Sequence, residues 1–128
     1  MPNLLTFSQL RKVNAARARR WHGGFPAGND GWSGADWANA TAGELGEACN
    51  VVKKLRRMDV GITQAEQGDQ PDEAYRLMLL QKLAKEIGDT AIYLDLLATF
   101  YGLELSNCVL DAFNQVSQRE GFPERLHR

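Results

Sequence analysis

Two acidic pairs of identical spacing, Glu44-Leu-Gly-Glu47 and Glu86-Ile-Gly-Asp89, lie inside stretches whose apolar periodicity reads as buried helix. A carboxylate in such a place is costly unless it is paired, hydrogen-bonded or bound to a cation. The surrounding sequence offers few fixed positive partners, so a metal ion is the expected one. Residues three apart on a helix are surface neighbours, with Cβ atoms roughly 5–6 Å apart, and each pair therefore aims two carboxylates at one point. Two such helices facing each other would build a cage from Glu44, Glu47, Glu86 and Asp89. Hard divalent cations prefer oxygen ligands, and Mg²⁺ is commonly shared between carboxylates and substrate phosphates, which suits an enzyme acting on a nucleotide. A di-iron centre would need Glu-x-x-His from two helices. Neither His22 nor His127 follows a helical glutamate at that spacing, so the donor set favours Mg²⁺ or Mn²⁺ over iron or zinc.

Glycine placement sharpens the anomaly. Gly43, Gly46 and Gly88 directly precede Glu44, Glu47 and Asp89, each inside an expected helix. A helical glycine costs about 1 kcal/mol relative to alanine, so something must require the missing side chains. Close helix crossing and room for metal and phosphate both satisfy that requirement. Following the acidic faces by helical turns leads to Val51 and Lys54 beyond Glu47 and to Tyr93 beyond Asp89. Lys54 could reach a phosphate, or belong to a solvated Lys53, Lys54, Arg56, Arg57 run favoured by the helix dipole. Tyr93 could contact a base or sugar, or simply pack in the core.

The elements that must hold these residues are helices. Thr6 and Gln9 have capping-box spacing at the start of a first helix running to about Trp21. His22 to Ser33 is a breaker-rich loop with two aromatics, Phe25 and Trp32. Ser33 with Asp36 caps a second helix to about Arg57, whose small and apolar residues Ala38, Thr41, Leu45, Ala48, Val52 and Leu55 follow a three-four spacing. Met58 to Gln70 reads as loop. Pro71, Asp72 and Glu73 open a third helix reaching about Tyr101, with Gly102 as its stop. This helix is apolar on two sides, Leu77–Leu80–Ala84–Ile87–Ala91–Leu94 on one and Leu79–Leu83–Glu86–Thr90–Tyr93–Leu97 on the other, which predicts a central position. A fourth helix, from about Ser106 to Arg119, should turn Val109, Leu110, Phe113 and Val116 inward, with Gly121 closing it before an irregular tail. No segment alternates as a strand does, so the fold class is all-α.

A chain of 128 residues with 44% hydrophobic and 24% charged composition is expected to be one globular domain, residues 1–128. The formal net charge of −1 gives no reason to expect a nucleic-acid polymer as partner, and the Arg17, Arg19, Arg20 cluster reads as a solvated helix face. Cys49 and Cys108 lack metal or redox spacing and are expected to be free, buried thiols. Without a charged n-region and apolar h-region at the start, and without a long apolar run, the expectation is a cytoplasmic protein that does not cross a membrane.

These residues resemble the MazG-like nucleotide pyrophosphohydrolases of the all-α NTP pyrophosphatase superfamily over most of the chain. The E-x-x-E and E-x-x-D pairs carry the likeness, supported by Trp37 ahead of Gly43-Glu-Leu-Gly-Glu-Ala48, by Lys53-Lys54, and by Phe113-Asn-Gln-Val-Ser-Gln-Arg-Glu-Gly-Phe-Pro123. The resemblance implies a four-to-five-helix bundle completed by oligomerisation, as a homodimer or homotetramer. It implies hydrolysis of a (deoxy)nucleoside triphosphate to the monophosphate and pyrophosphate, with Glu44, Glu47, Glu86 and Asp89 holding Mg²⁺ or Mn²⁺. Glu47, followed by Glu44, would be the general base. Lys54 and Arg119 would contact phosphate, Asn114 would give a polar contact, and Trp32, Trp37 and Tyr93 would wall the base. The chain departs from the family pattern at Ala112, where many members have lysine, and at Gly43 and Lys85, where members often have a further acid. A pyrimidine-specific dUTP or dCTP pyrophosphatase and a non-catalytic helical interaction module, its acids solvated or paired with Lys53, Lys54 or Lys82, are the rival readings.

Overall fold

The computed structural model describes residues 4–26 and 31–128, so residues 27–30 of the expected aromatic loop and the first three residues fall outside the described part. Among the described residues there are four α-helices and no strand: α1 (Phe7–His22), α2 (Gly34–Asp59), α3 (Asp72–Phe100) and α4 (Leu105–Glu120). A 3₁₀ turn at Ala65–Gln67 interrupts the segment between α2 and α3, which sequence reads as plain loop. No helix among the described residues is long and apolar enough to cross a membrane.

The helix ends follow local side-chain chemistry. The Thr6 hydroxyl accepts from the Gln9 N–H at 3.1 Å, and Ser33 and Asp36 form a reciprocal capping box, with the Ser33 N–H donating to Asp36 at 2.7 Å and the Asp36 N–H to the Ser33 hydroxyl at 3.4 Å. Gly102 and Gly121 take left-handed φ of 72° and 74°. The next residues close the helices, Leu103 N–H on the Ala98 carbonyl and Phe122 N–H on that of Ser117, both at 2.8 Å. His22, expected in the loop, instead ends α1.

The chain divides into two compact units. One contains the described residues up to Trp37 and those from Leu94 onward; its buried residues include Ala15, Ala18, Phe25, Trp37, Leu96 and Leu105. There Asn14 of α1 donates from Nδ2 to the Asp95 carboxylate at 3.0 Å, both side chains being buried. The other unit, Ala38–Tyr93, holds a cluster of Val51 and Leu55 from α2 with Tyr75 and Leu79 from α3, flanked by Met58, Met78 and Leu83.

Several expected faces are displaced. In α2 the buried line runs Ala48–Val51–Leu55 and leaves Leu45 and Val52 exposed. At about 100° per residue Glu44 falls on that buried line and Leu45 turns off it. Of the two apolar sides of α3, that of Leu79 and Leu83 packs inward, whereas Leu77 and Ile87, each 57% exposed, and Leu80 lie open. In α4, Val109, Phe113 and Val116 are exposed, because Leu105 and Ser117 take the buried positions. Cys49 and Cys108 are free, as expected, but exposed. Cys49 follows the buried Ala48 and so points about a quarter turn away from it.

Candidate metal centre

Glu44 reaches the centre because it stands on the same line of α2 as Ala48, Val51 and Leu55. Glu86 and Asp89 project from the packed side of α3, one and two turns beyond Leu83. Glu44, Glu86 and Asp89, all half-buried, each offer a carboxylate oxygen within 4.8 Å of the others. Around an octahedral Mg²⁺ ion with bonds of about 2.1 Å, at most one pair among three ligand oxygens stands about 4.2 Å apart and the others about 3.0 Å. Small rotations of χ angles would therefore close the three onto one ion.

Polar satisfaction separates the members of this group. Glu86 keeps its Oε2 buried with no hydrogen-bond partner among the described residues, although a buried acceptor without a donor costs roughly 1–3 kcal/mol, more when charged. Asp89 is engaged by Lys85 one turn earlier on α3, with Nζ 2.5 Å from Oδ2. This contact, reinforced by the fields of Asp89, Glu86 and Glu44, holds the Lys85 ammonium above its ordinary pKa. Lys85 supplies a positive charge to an otherwise anionic cluster. The i,i+4 spacing is the sequence signal for this pair, which corrects the expectation of few fixed positive partners around the acids.

Glu47 does not join the three. It is exposed and lies about 60° off the line of Glu44, toward the flank that also carries Lys54. In α2 the packed line of Ala48, Val51 and Leu55 carries Glu44 inward and leaves Glu47 outside, whereas in α3 both members of the pair reach the group.

Gly43, Gly46 and Gly88 are not explained by helix crossing, since a Cβ at each would meet no described atom within 4 Å. Gly34 shows the contrasting case, unremarked by spacing alone: a Cβ there would collide with the Tyr101 side chain.

The remaining expected site residues are distributed differently. Lys54 forms an ion pair with Glu66 of the 3₁₀ turn, while Tyr93 is half-buried one turn beyond Asp89. Trp32, Trp37, Asn114 and Arg119 belong to the other compact unit. Trp37 is 1% exposed. It stacks edgewise among His22, Phe25 and Trp32, with ring centroids 4.6–5.2 Å from its own, so these rings occupy its faces where a base was expected. The Asn114 side chain is committed to the tail, donating to the Leu126 carbonyl at 2.9 Å and accepting from its N–H at 2.8 Å. Arg119 lies exposed beside Glu120, with 3.0 Å between Nε and Oε1. Asp95, an acid between Leu94 and Leu96 in the same helix that is not singled out by its spacing, is paired with Asn14. Nothing in the local spacing marks Glu66.

No family model, curated protein or solved structure matches this chain.

Proposed function

We propose that the protein is a divalent-metal-dependent nucleoside triphosphate pyrophosphohydrolase of the MazG-like type. The observation that carries this reading is the buried, unpartnered Glu86 oxygen beside two further carboxylates. A fold that leaves one acceptor unsatisfied next to like charges is built for a cation that supplies the missing partner. The three glycines support the same reading: no described atom of the chain requires them, and they leave bare backbone beside the acids. Glu44, Glu86 and Asp89 would hold Mg²⁺ or Mn²⁺. When bound, such an ion offsets phosphate charge and lowers the pKa of a coordinated water.

The chain's own residues would then act as follows. Glu47, exposed at the flank and outside the ligand group, accepts a proton from water as that oxygen bonds to the α-phosphorus, Glu44 being the second candidate. The bond from the α-phosphorus to the bridging oxygen breaks, and that oxygen keeps the electron pair and leaves with pyrophosphate. A nucleoside monophosphate remains. Lys54 would assist with phosphate and Tyr93 with the base or sugar, whereas the burial of Trp37 and the tail contacts of Asn114 speak against those two as substrate contacts.

A second copy of the chain would cover the open side of α3 at Leu77, Leu80 and Ile87, completing a bundle as a homodimer or homotetramer. Pyrophosphate release from a panel of ribo- and deoxynucleoside triphosphates, with Mg²⁺ and with chelator, tests the activity. The wild type should act only with the metal, and Asp89→Asn should lose at least a hundredfold, about 2.7 kcal/mol in barrier. Absence of metal-dependent release across the panel would overturn the assignment. A profile confined to dUTP or dCTP would establish the pyrimidine-specific form.

A further inference from the structure

We propose that Lys54, Lys82 and the Tyr75 hydroxyl form a cradle for a terminal phosphate of a polyphosphate chain, and that Glu66 fills this cradle in the free protein as an internal stand-in. The inference rests on the pyrophosphohydrolase reading for its ligand, but the latch is an observation of its own.

Glu66 lies in the 3₁₀ turn between α2 and α3 and is met from both helices. Lys54 of α2 pairs with one carboxylate oxygen, Lys82 of α3 stands 3.8 Å from the other, and the fully buried Tyr75 donates its hydroxyl at 3.4 Å. Two cations and a hydroxyl thus surround a single negative charge. That is more positive charge than a carboxylate neutralises, and it suits a phosphate group with more charge and more acceptor oxygens. The Lys54 contact, ahead of the fields of Lys54 and Lys82 and the Tyr75 bond, draws the Glu66 carboxyl below its ordinary pKa. Glu66 is therefore an anion at neutral pH, as a stand-in for phosphate must be.

The position fits the metal cluster. Lys82 precedes Glu86 by four residues, so the two share a side of α3 about 6 Å apart along the axis. That step is comparable with the reach of a triphosphate. Lys54 lies on the same flank of α2 as Glu47.

The loop does not depend on Glu66 to stay in place. The buried Gln64 donates from Nε2 to the Lys54 carbonyl at 2.9 Å. Gln67 donates to the Gln70 carbonyl at 2.8 Å and to Asp72 at 2.6 Å. Exchange of carboxylate for phosphate thus needs a side-chain rotation, with the backbone held.

Calorimetric titration of inorganic pyrophosphate into the full chain, in chelator to remove the metal contribution, tests the latch. Glu66→Gln should bind pyrophosphate about tenfold more tightly than wild type, and adding Lys54→Met or Lys82→Met to Glu66→Gln should abolish the gain. Equal affinity in wild type and Glu66→Gln overturns the proposal, as does a gain that survives loss of both lysines. Glu66→Ala provides the same comparison should Glu66→Gln misfold. A parallel titration with a nucleoside triphosphate separates the ligand sources: gain for both assigns the cradle to the substrate's terminal phosphate, and gain for pyrophosphate alone assigns it to the released product. Because hydrolysis plays no part in these titrations, a positive result alongside an inactive wild type would retain the cradle and remove the catalytic reading. An active wild type without the gain would do the reverse.

Discussion

Two acids of α3, nine residues apart, meet burial in opposite ways. Asp95 is 1% exposed and accepts from the Asn14 amide of α1. Glu86 stands among other carboxylates with one buried oxygen that no donor among the described residues reaches. Glu86 interrupts an apolar side of the helix, and Asp95 stands between Leu94 and Leu96. The difference lies in whether another part of the chain supplies a donor. Asp95 therefore serves the fold, whereas Glu86 leaves a requirement that the chain does not meet, and such local conflicts concentrate at functional sites.

Activity breaks the comparison most sharply. Glu86→Gln should reduce metal-dependent pyrophosphate release at least a hundredfold, about 2.7 kcal/mol, while Asp95→Asn stays within about tenfold of wild type; steady-state rates at saturating Mg²⁺ decide. Comparable losses in both variants would erase the distinction. Stability comes next and should change sign. Asp95→Ala removes the carboxylate that the buried Asn14 amide donates to and should cost about 2 kcal/mol, whereas Glu86→Met in chelator removes an unsatisfied oxygen and should gain about 1 kcal/mol. Urea unfolding of the two variants measures both.

A smaller effect is expected at Lys85, which pairs with Asp89 and would compete there with the proposed cation. The pair is largely exposed on the lysine side and screened by solvent, so Lys85→Met should tighten Mg²⁺ by only about two- to fivefold. Calorimetric Mg²⁺ titration reads it.

The smallest concerns acid. Because the Glu66 carboxyl is drawn below its ordinary value of 4.5, its contribution to stability is complete above that value and is lost as pH falls through the lowered one. The stability advantage of wild type over Glu66→Gln should accordingly shrink on acidification, as followed by thermal unfolding across that range.

Helix type and helix ends were legible because their causes are local. Thr6 and Ser33 hold their own first turns, and Gly102 and Gly121 relieve the last ones. Grouping of Glu44, Glu86 and Asp89 was legible too, since packed helices bring their facing lines together. The place of Glu47 was not. Its spacing from Glu44 fixes proximity, but the packing of Val51 and Leu55 on Tyr75 and Leu79 decides which acid turns inward. Long-range partners were equally hidden: only the folded chain reveals that Asn114 holds Leu126 and that the rings around Trp37 leave it no open face. The apolar pattern of α3 was readable as two sides, yet the pattern cannot say what covers each.

The two exposed thiols have a practical consequence. Cys49 falls in one compact unit and Cys108 in the other, and both are free at the surface. The natural chain thus carries one attachment point per unit, and nitroxide labels on the pair would allow a spin–spin distance to be recorded in solution, before and after nucleotide, without introducing a single new cysteine.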